Sequence, residues 1–115
     1  MIRRLRQRHL WLTPAVGVGA ALVLAAAPEE GLRDAPQALA DAQKANQLVP
    51  RQPAYIDALA CAFAANGDFE KAVEEEQRAI TFLPKDDQAT IDDYRARLAL
   101  YREGTAFLMP DHPQT

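Results

Sequence analysis

Residues 53–84 read PAYIDALACAFAANGDFEKAVEEEQRAITFLP, and this stretch decides the fold. Pro53 suits the first turn of a helix, because the N–H that proline lacks would have no partner there. In residues 53–65 the apolar side chains recur at spacings of three and four, which predicts an amphipathic helix. These side chains are Ile56, Leu59, Ala60 and Phe63.

A break and a second helix follow. Gly67 can adopt the left-handed conformation that ends a helix, and Asp68 can cap the next one. Residues 69–83 show helical periodicity again, and Pro84 ends it. The order helix, tight turn, helix predicts an antiparallel hairpin. The apolar residues of its second helix are Phe69, Ala72, Val73, Ala79, Ile80 and Leu83.

The chain also repeats itself. Residues 38–50 align without a gap on residues 72–84, an offset of 34, and nine of the thirteen positions are identical or chemically similar. Self-similarity at such a period is typical of stacked helical hairpins. The identical pairs are Ala38 with Ala72, Gln43 with Gln77, Ala45 with Ala79, and Pro50 with Pro84.

The hairpin resembles the tetratricopeptide repeat, whose period is the same. The residues at that family's packing positions are Leu59, Ala60, Phe63, Gly67, Phe69, Ala72, Ala79 and Pro84. The resemblance implies that the small residues let neighbouring helices touch. Two positions depart from the pattern, since Ile56 replaces an aromatic residue and Glu76 replaces a large apolar one. Residues 32–101 are also similar to the terminal repeats of larger bacterial proteins of this family.

We therefore predict an all-α fold. A tetratricopeptide-like antiparallel hairpin is preceded by a half-repeat helix and followed by a capping helix at 91–103, within a repeat domain at 34–104. Residues 105–115 are expected to form a flexible tail. Because a repeat stack usually needs about three units, stability should be marginal or depend on a partner or on self-association. The stripe of the capping helix consists of Ile91, Tyr94, Leu98 and Tyr101.

The first thirty residues have a separate composition. Four arginines lie within residues 1–8, and residues 10–27 form an uncharged run of eighteen. This pattern is typical of a signal peptide or of a membrane anchor, which needs about 20 apolar residues. In these interpretations residues 1–30 are a signal peptide or an apolar membrane helix. In both cases the domain is predicted to lie on the periplasmic or extracellular side. Two alternatives are a buried core helix and the last span of a truncated, larger chain.

The residues offer little for catalysis. The chain has no serine, which excludes a Ser-His-Asp triad, and neither His9 nor His112 has a second ligand nearby. Cys61 has no cation one helical turn away, and we interpret it as a small helix filler. Residues 74–76 read as a solvated acidic face. From position 28 onward 9 basic residues face 16 acidic ones, which argues against nucleic acid. No enzyme activity, metal or cofactor is expected.

The resemblance also implies a binding surface, because in that family the first helix of each repeat lines a concave, peptide-facing surface. Here that surface would be formed by Ala54, Asp57, Ala58, Cys61, Ala64 and Ala65. Asp57 and Cys61 replace the basic and amide residues with which the family clamps a terminal carboxylate, so we expect no such clamp. We predict a module for protein–protein contact with another protein or peptide. The alternative is a structural remnant or terminal cap of a larger repeat protein, without binding of its own.

Overall fold

A computed structural model of the chain describes residues 34–108, and within this range the secondary structure consists of four helices and no strand. They are α1 (Ala35–Leu48), α2 (Pro53–Ala65), α3 (Phe69–Phe82) and α4 (Gln88–Arg102). The all-α prediction is thus confirmed. The predicted N-terminal helix and residues 109–115 of the predicted tail lie outside the described residues.

Local sequence explains where the helices begin and turn. Three of them begin at an aspartate whose carboxylate accepts a hydrogen bond from a backbone N–H of the first turn. The capping residues are Asp34, Asp68 and Asp87, and the donors are Gln37, Lys71 and Thr90. Gly67 has a φ of 84°, so the turn between α2 and α3 uses the left-handed conformation predicted for it.

Each helix packs against the next in the opposite direction. Ala38 near the start of α1 shares a cluster with Ala62 near the end of α2, and Ala45 near the end of α1 packs against Ala58. In α2 and α3 the same reversal recurs. Ala64 lies with Ala72 beside the turn, and Ile56 lies with Ala79 at the far end. Ala72 and Ala79 have no exposed surface, so α2 and α3 approach closely along their length.

Helix α4 covers the groove between α2 and α3. Tyr94 packs with Ile56 of α2 and Ala79 of α3 at the open end of the hairpin. Tyr101 packs with Ala64 and Ala72 at the other end, beside the turn. The backbone of α4 packs mainly along α3, the second helix of the hairpin, and its two tyrosines reach past the small side chains of α3 to α2.

The chain reverses after α4 and returns to the helices. Gly104 has a φ of 75°, and the Thr105 N–H donates to the Leu100 carbonyl at 2.9 Å. Ala106 and Phe107 are half-buried against the helices. Residues 105–108, which we name the C-terminal segment, therefore differ from the flexible tail expected there, because the Phe107 ring finds apolar surface within reach of the turn.

Candidate functional site

The six residues predicted to face a peptide are mostly covered. Ala54 is exposed and Ala65 half-buried, but the other four are buried, with at most 3% of their surface exposed. The buried residues are Asp57, Ala58, Cys61 and Ala64. They are covered because α1 packs on one side of α2, and α3 together with side chains of α4 packs on the other. In this arrangement those four residues are not open to a peptide.

The residues at the predicted repeat-packing positions are arranged around the helix contacts. The small and aliphatic ones are buried, the two phenylalanines are half-buried, and the glycine and proline lie in connections. The buried ones are Leu59, Ala60, Ala72 and Ala79, the half-buried ones Phe63 and Phe69, and the connecting ones Gly67 and Pro84.

Glu76 is a carboxylic acid buried in the interior of the fold. The sequence predicted that residues 74–76 form a solvated face, and this is wrong for Glu76, whose surface is 0% exposed. Glu74 is exposed, as predicted. The reason is helical spacing, since Glu76 lies four residues after Ala72 and three before Ala79, on the side of α3 that faces the core.

Arg97 of α4 places a positive charge next to the buried carboxyl groups. It forms an ion pair and a hydrogen bond with Asp57 of α2, and the two side chains are only 22% and 5% exposed. Burial lowers the pKa of Arg97, but the Asp57 carboxylate more than offsets this, and the net pKa is raised. The pair therefore ties α2 to α4 with Arg97 fully charged.

Glu76 completes a three-helix cluster with Asp57 and Arg97. Burial, and secondly the charge and hydrogen bonding of Asp57, raise the pKa of Glu76 to about 10. With both carboxyl groups ionised, Asp57 Oδ1 and both Glu76 oxygens have no hydrogen-bond donor among the described residues. A proton on Glu76 would supply a donor to Asp57. We therefore expect Glu76 to be a neutral acid at neutral pH.

Cys61 and Tyr101 border this cluster. Burial, followed by the charge of Asp57, raises the pKa of the Cys61 thiol to about 12, and the thiol is 1% exposed. Burial also raises the pKa of Tyr101, whose hydroxyl faces Cys61 without a standard hydrogen bond. A thiol that stays protonated and covered is a poor nucleophile. This agrees with the interpretation of Cys61 as a helix filler.

The described residues contain no group of three or more His, Cys, Asp or Glu side chains placed to hold a metal ion. Asp57, Glu76 and Arg97 each come from a different helix, and a buried ion pair such as Arg97–Asp57 can specify how its helices meet. The cluster sets the position of Arg97 and hence the shape of the surface above it.

An open depression lies on that surface, with a volume of about 260 Å³. It is lined by Asp93, Ala96, Arg97, Leu100 and Phe107. The guanidinium carbon of Arg97 lies 4.3 Å from the centroid of the Phe107 ring, a cation–π contact. We call this site the α4 depression. Small-molecule pockets usually have roughly 300–1,000 Å³, so its size fits one side chain better than a whole ligand.

Sequence reasoning missed the α4 depression because it treated α4 as a cap and the residues after Gly104 as a tail. The available signal was Phe107, an aromatic side chain three residues after a glycine that can reverse the chain. That pattern allows the chain to turn back towards the core, but it does not show which residues the Phe107 ring contacts.

Comparison with known proteins adds no relative. No protein family, curated protein or solved structure matches this chain. Of the helices between residues 34 and 108, none has the length and apolar character needed to cross a membrane.

Proposed function

We propose that the chain is a protein-binding module of the tetratricopeptide type, in which α2 and α3 form the hairpin, α1 the preceding half-repeat and α4 the cap. The observation that carries this proposal is the burial of four alanines in two pairs spaced by 34 residues. Ala38, Ala72 and Ala79 are 0% exposed and Ala45 is 2% exposed. Alanine at a helix contact lets two backbones approach closely, and its repetition at one period supports a common packing rule for α1 and α3.

The partner-facing surface that we propose is the α4 depression, together with the two ends of α2 at the exposed Ala54 and the half-buried Ala65. This moves the surface away from the buried residues of α2 and towards α4. A depression of about 260 Å³ holds one side chain of an extended protein segment. A standard interface buries about 800 Å² per partner, so binding by this surface alone should be weak.

We also propose that residues 10–27 export or tether the module, with its folded part on the periplasmic or extracellular side. The support is the basic head at residues 1–8 followed by the uncharged run. Mass spectrometry of the mature N-terminus tests this. An N-terminus after residue 25 indicates cleavage, whereas an intact chain that remains with membranes indicates an anchor.

Peptide display against the full-length chain tests the binding surface. Selected peptides should lose at least tenfold in affinity for Ala96→Arg, because this exposed residue lines the α4 depression and arginine would fill it. The matched control is Ala99→Arg, an exposed alanine of the same helix that does not line the depression. Equal binding to the two variants would show that the peptides use another surface.

The alternative function, a terminal cap of a larger repeat protein, gives a different result. Size-exclusion chromatography and circular dichroism of residues 31–115 should show a folded helical species if the module is independent. An unfolded chain that selects no peptide would favour the cap.

A further inference from the structure

We propose that the C-terminal segment is an internal ligand of the binding surface, in which Phe107 occupies the place that an aromatic side chain of a partner takes. The inference rests on the proposed function and adds regulation to it. The partner is an extended protein segment that carries a phenylalanine, tyrosine or tryptophan. To bind, it must displace residues 105–108.

The turn after α4 is built to bring Phe107 back. Gly104 has a φ of 75°, a backbone conformation that residues other than glycine rarely adopt. The Thr105 N–H donates to the Leu100 carbonyl at 2.9 Å. This hydrogen bond closes the last turn of α4 and reverses the chain. Three residues after Gly104 the Phe107 ring lies over Arg97, 4.3 Å from its guanidinium carbon.

The platform beneath Phe107 does not depend on Phe107. Arg97 is held from below by its ion pair with Asp57, and its guanidinium carbon also lies 5.4 Å from the Tyr94 ring. The ring also packs against two clusters of buried apolar residues, which are built by the four helices. A surface held by the helices in this way is already formed for a second aromatic ring once the first one leaves.

Few contacts hold the C-terminal segment against the helices. Phe107 is only half-buried and Leu108 is 44% exposed. Within the described residues, the segment makes a single hydrogen bond to the helices, from Thr105 to Leu100. A contact of this kind stays closed because the tether keeps Phe107 at a high effective concentration, in the millimolar range for short flexible linkers. A partner with more contacts can therefore replace it.

Charge favours a neutral aromatic side chain over an acidic one. The positive charge of Arg97 is already offset by Asp57, and Asp93 lies at the rim of the α4 depression. An anion would meet a carboxylate at the rim and a guanidinium that is already paired. The face of an aromatic ring, by contrast, can lie over the planar guanidinium while Arg97 keeps its ion pair with Asp57, as the Phe107 ring does.

The test uses the full-length chain and a labelled peptide of its own residues 104–115. Phe107→Ala should remove the ring from the wall of the α4 depression and uncover the place over Arg97, so that the peptide binds this variant at least tenfold more tightly than it binds the wild-type chain. Leu108→Ala is the matched control, because it truncates an exposed neighbour and should bind the peptide no better than wild type. A peptide in which alanine replaces the phenylalanine should bind none of the three chains.

Gly104→Ala gives a second route if Phe107→Ala fails to fold by circular dichroism. Alanine strains the positive φ, although a Cβ there meets no atom within 4 Å, so the variant should loosen the segment while keeping Phe107 in the chain. The peptide should then bind several-fold more tightly than to wild type. Equal peptide affinity for wild type, Phe107→Ala and Gly104→Ala would overturn the inference. In that event display-selected peptides that still lose affinity for Ala96→Arg would leave the proposed function standing.

Discussion

Replacing Glu76 by glutamine tests the buried cluster most directly. The glutamine side chain has nearly the shape of a protonated glutamic acid, stays neutral at every pH and can donate a hydrogen bond to Asp57. If Glu76 is a neutral acid in the folded protein, Glu76→Gln preserves its interactions. It also removes the need to take up a proton during folding.

The magnitude follows from linkage. The pKa of Glu76 is raised from its ordinary 4.5 to about 10, so near pH 7 the group is ionised in the unfolded chain and protonated in the folded one. Stability from this group is therefore fully present below the unfolded pKa and falls as pH rises towards the folded pKa. Over the roughly 2.5 pH units from 4.5 to 7, at about 1.4 kcal/mol each, the fall amounts to about 3 kcal/mol. Glu76→Gln should recover up to that amount at neutral pH.

The assay is urea unfolding followed by circular dichroism, between about pH 5.5 and about pH 7.5. This window lies above the titration of ordinary carboxylates and below that of a thiol in the unfolded chain. The wild-type free energy of unfolding should fall with pH, whereas that of Glu76→Gln should be nearly flat. Glu74→Gln, which changes an exposed glutamate of the same helix, should keep the wild-type slope.

One result would refute this reasoning. If wild type and Glu76→Gln give parallel pH profiles, with wild type the more stable, then Glu76 is ionised inside the fold and is held by Arg97 as a carboxylate.

Further predictions concern the ion pair, the helix contact, the turn and the thiol. Arg97→Met should lower the free energy of unfolding by about 3 kcal/mol in urea melts, because it leaves the Asp57 carboxylate buried without its cation; an unchanged midpoint would contradict this. Ala79→Leu should destabilise by about 2 kcal/mol in the same assay, since it overfills a contact that is 0% exposed. If it does not, α2 and α3 do not nest as described. Gly67→Ala should cost about 1 kcal/mol because its φ is 84°, and thermal unfolding by circular dichroism would measure this. Cys61 should react with a thiol-specific disulfide reagent only at the rate of unfolding, and rapid reaction in the native protein at neutral pH would show that it is accessible.

Much of the helical architecture follows from local sequence. Asp68 caps α3 where capping chemistry predicts it, and Gly67 turns with the predicted positive φ. The alanines spaced by 34 residues are buried, as expected of small residues at helix contacts. These features depend on backbone geometry and on periodicity within a few turns of chain, and both are readable without knowing which helices meet.

The polar interior and the α4 depression were decided by tertiary structure. Helical spacing places Glu76, unlike its exposed neighbour Glu74, on the same side of α3 as Ala72 and Ala79, but the environment of its carboxyl group depends on what packs over it. Its burial requires Asp57 and Arg97, which come from two other helices, and the latter two lie 40 residues apart. The surface against which the Phe107 ring packs likewise forms only when the helices have packed together. Helices, caps and small-residue spacing are thus determined by neighbours along the chain, whereas protonation, ion pairing and the shape of the binding surface depend on contacts that only the folded chain brings together.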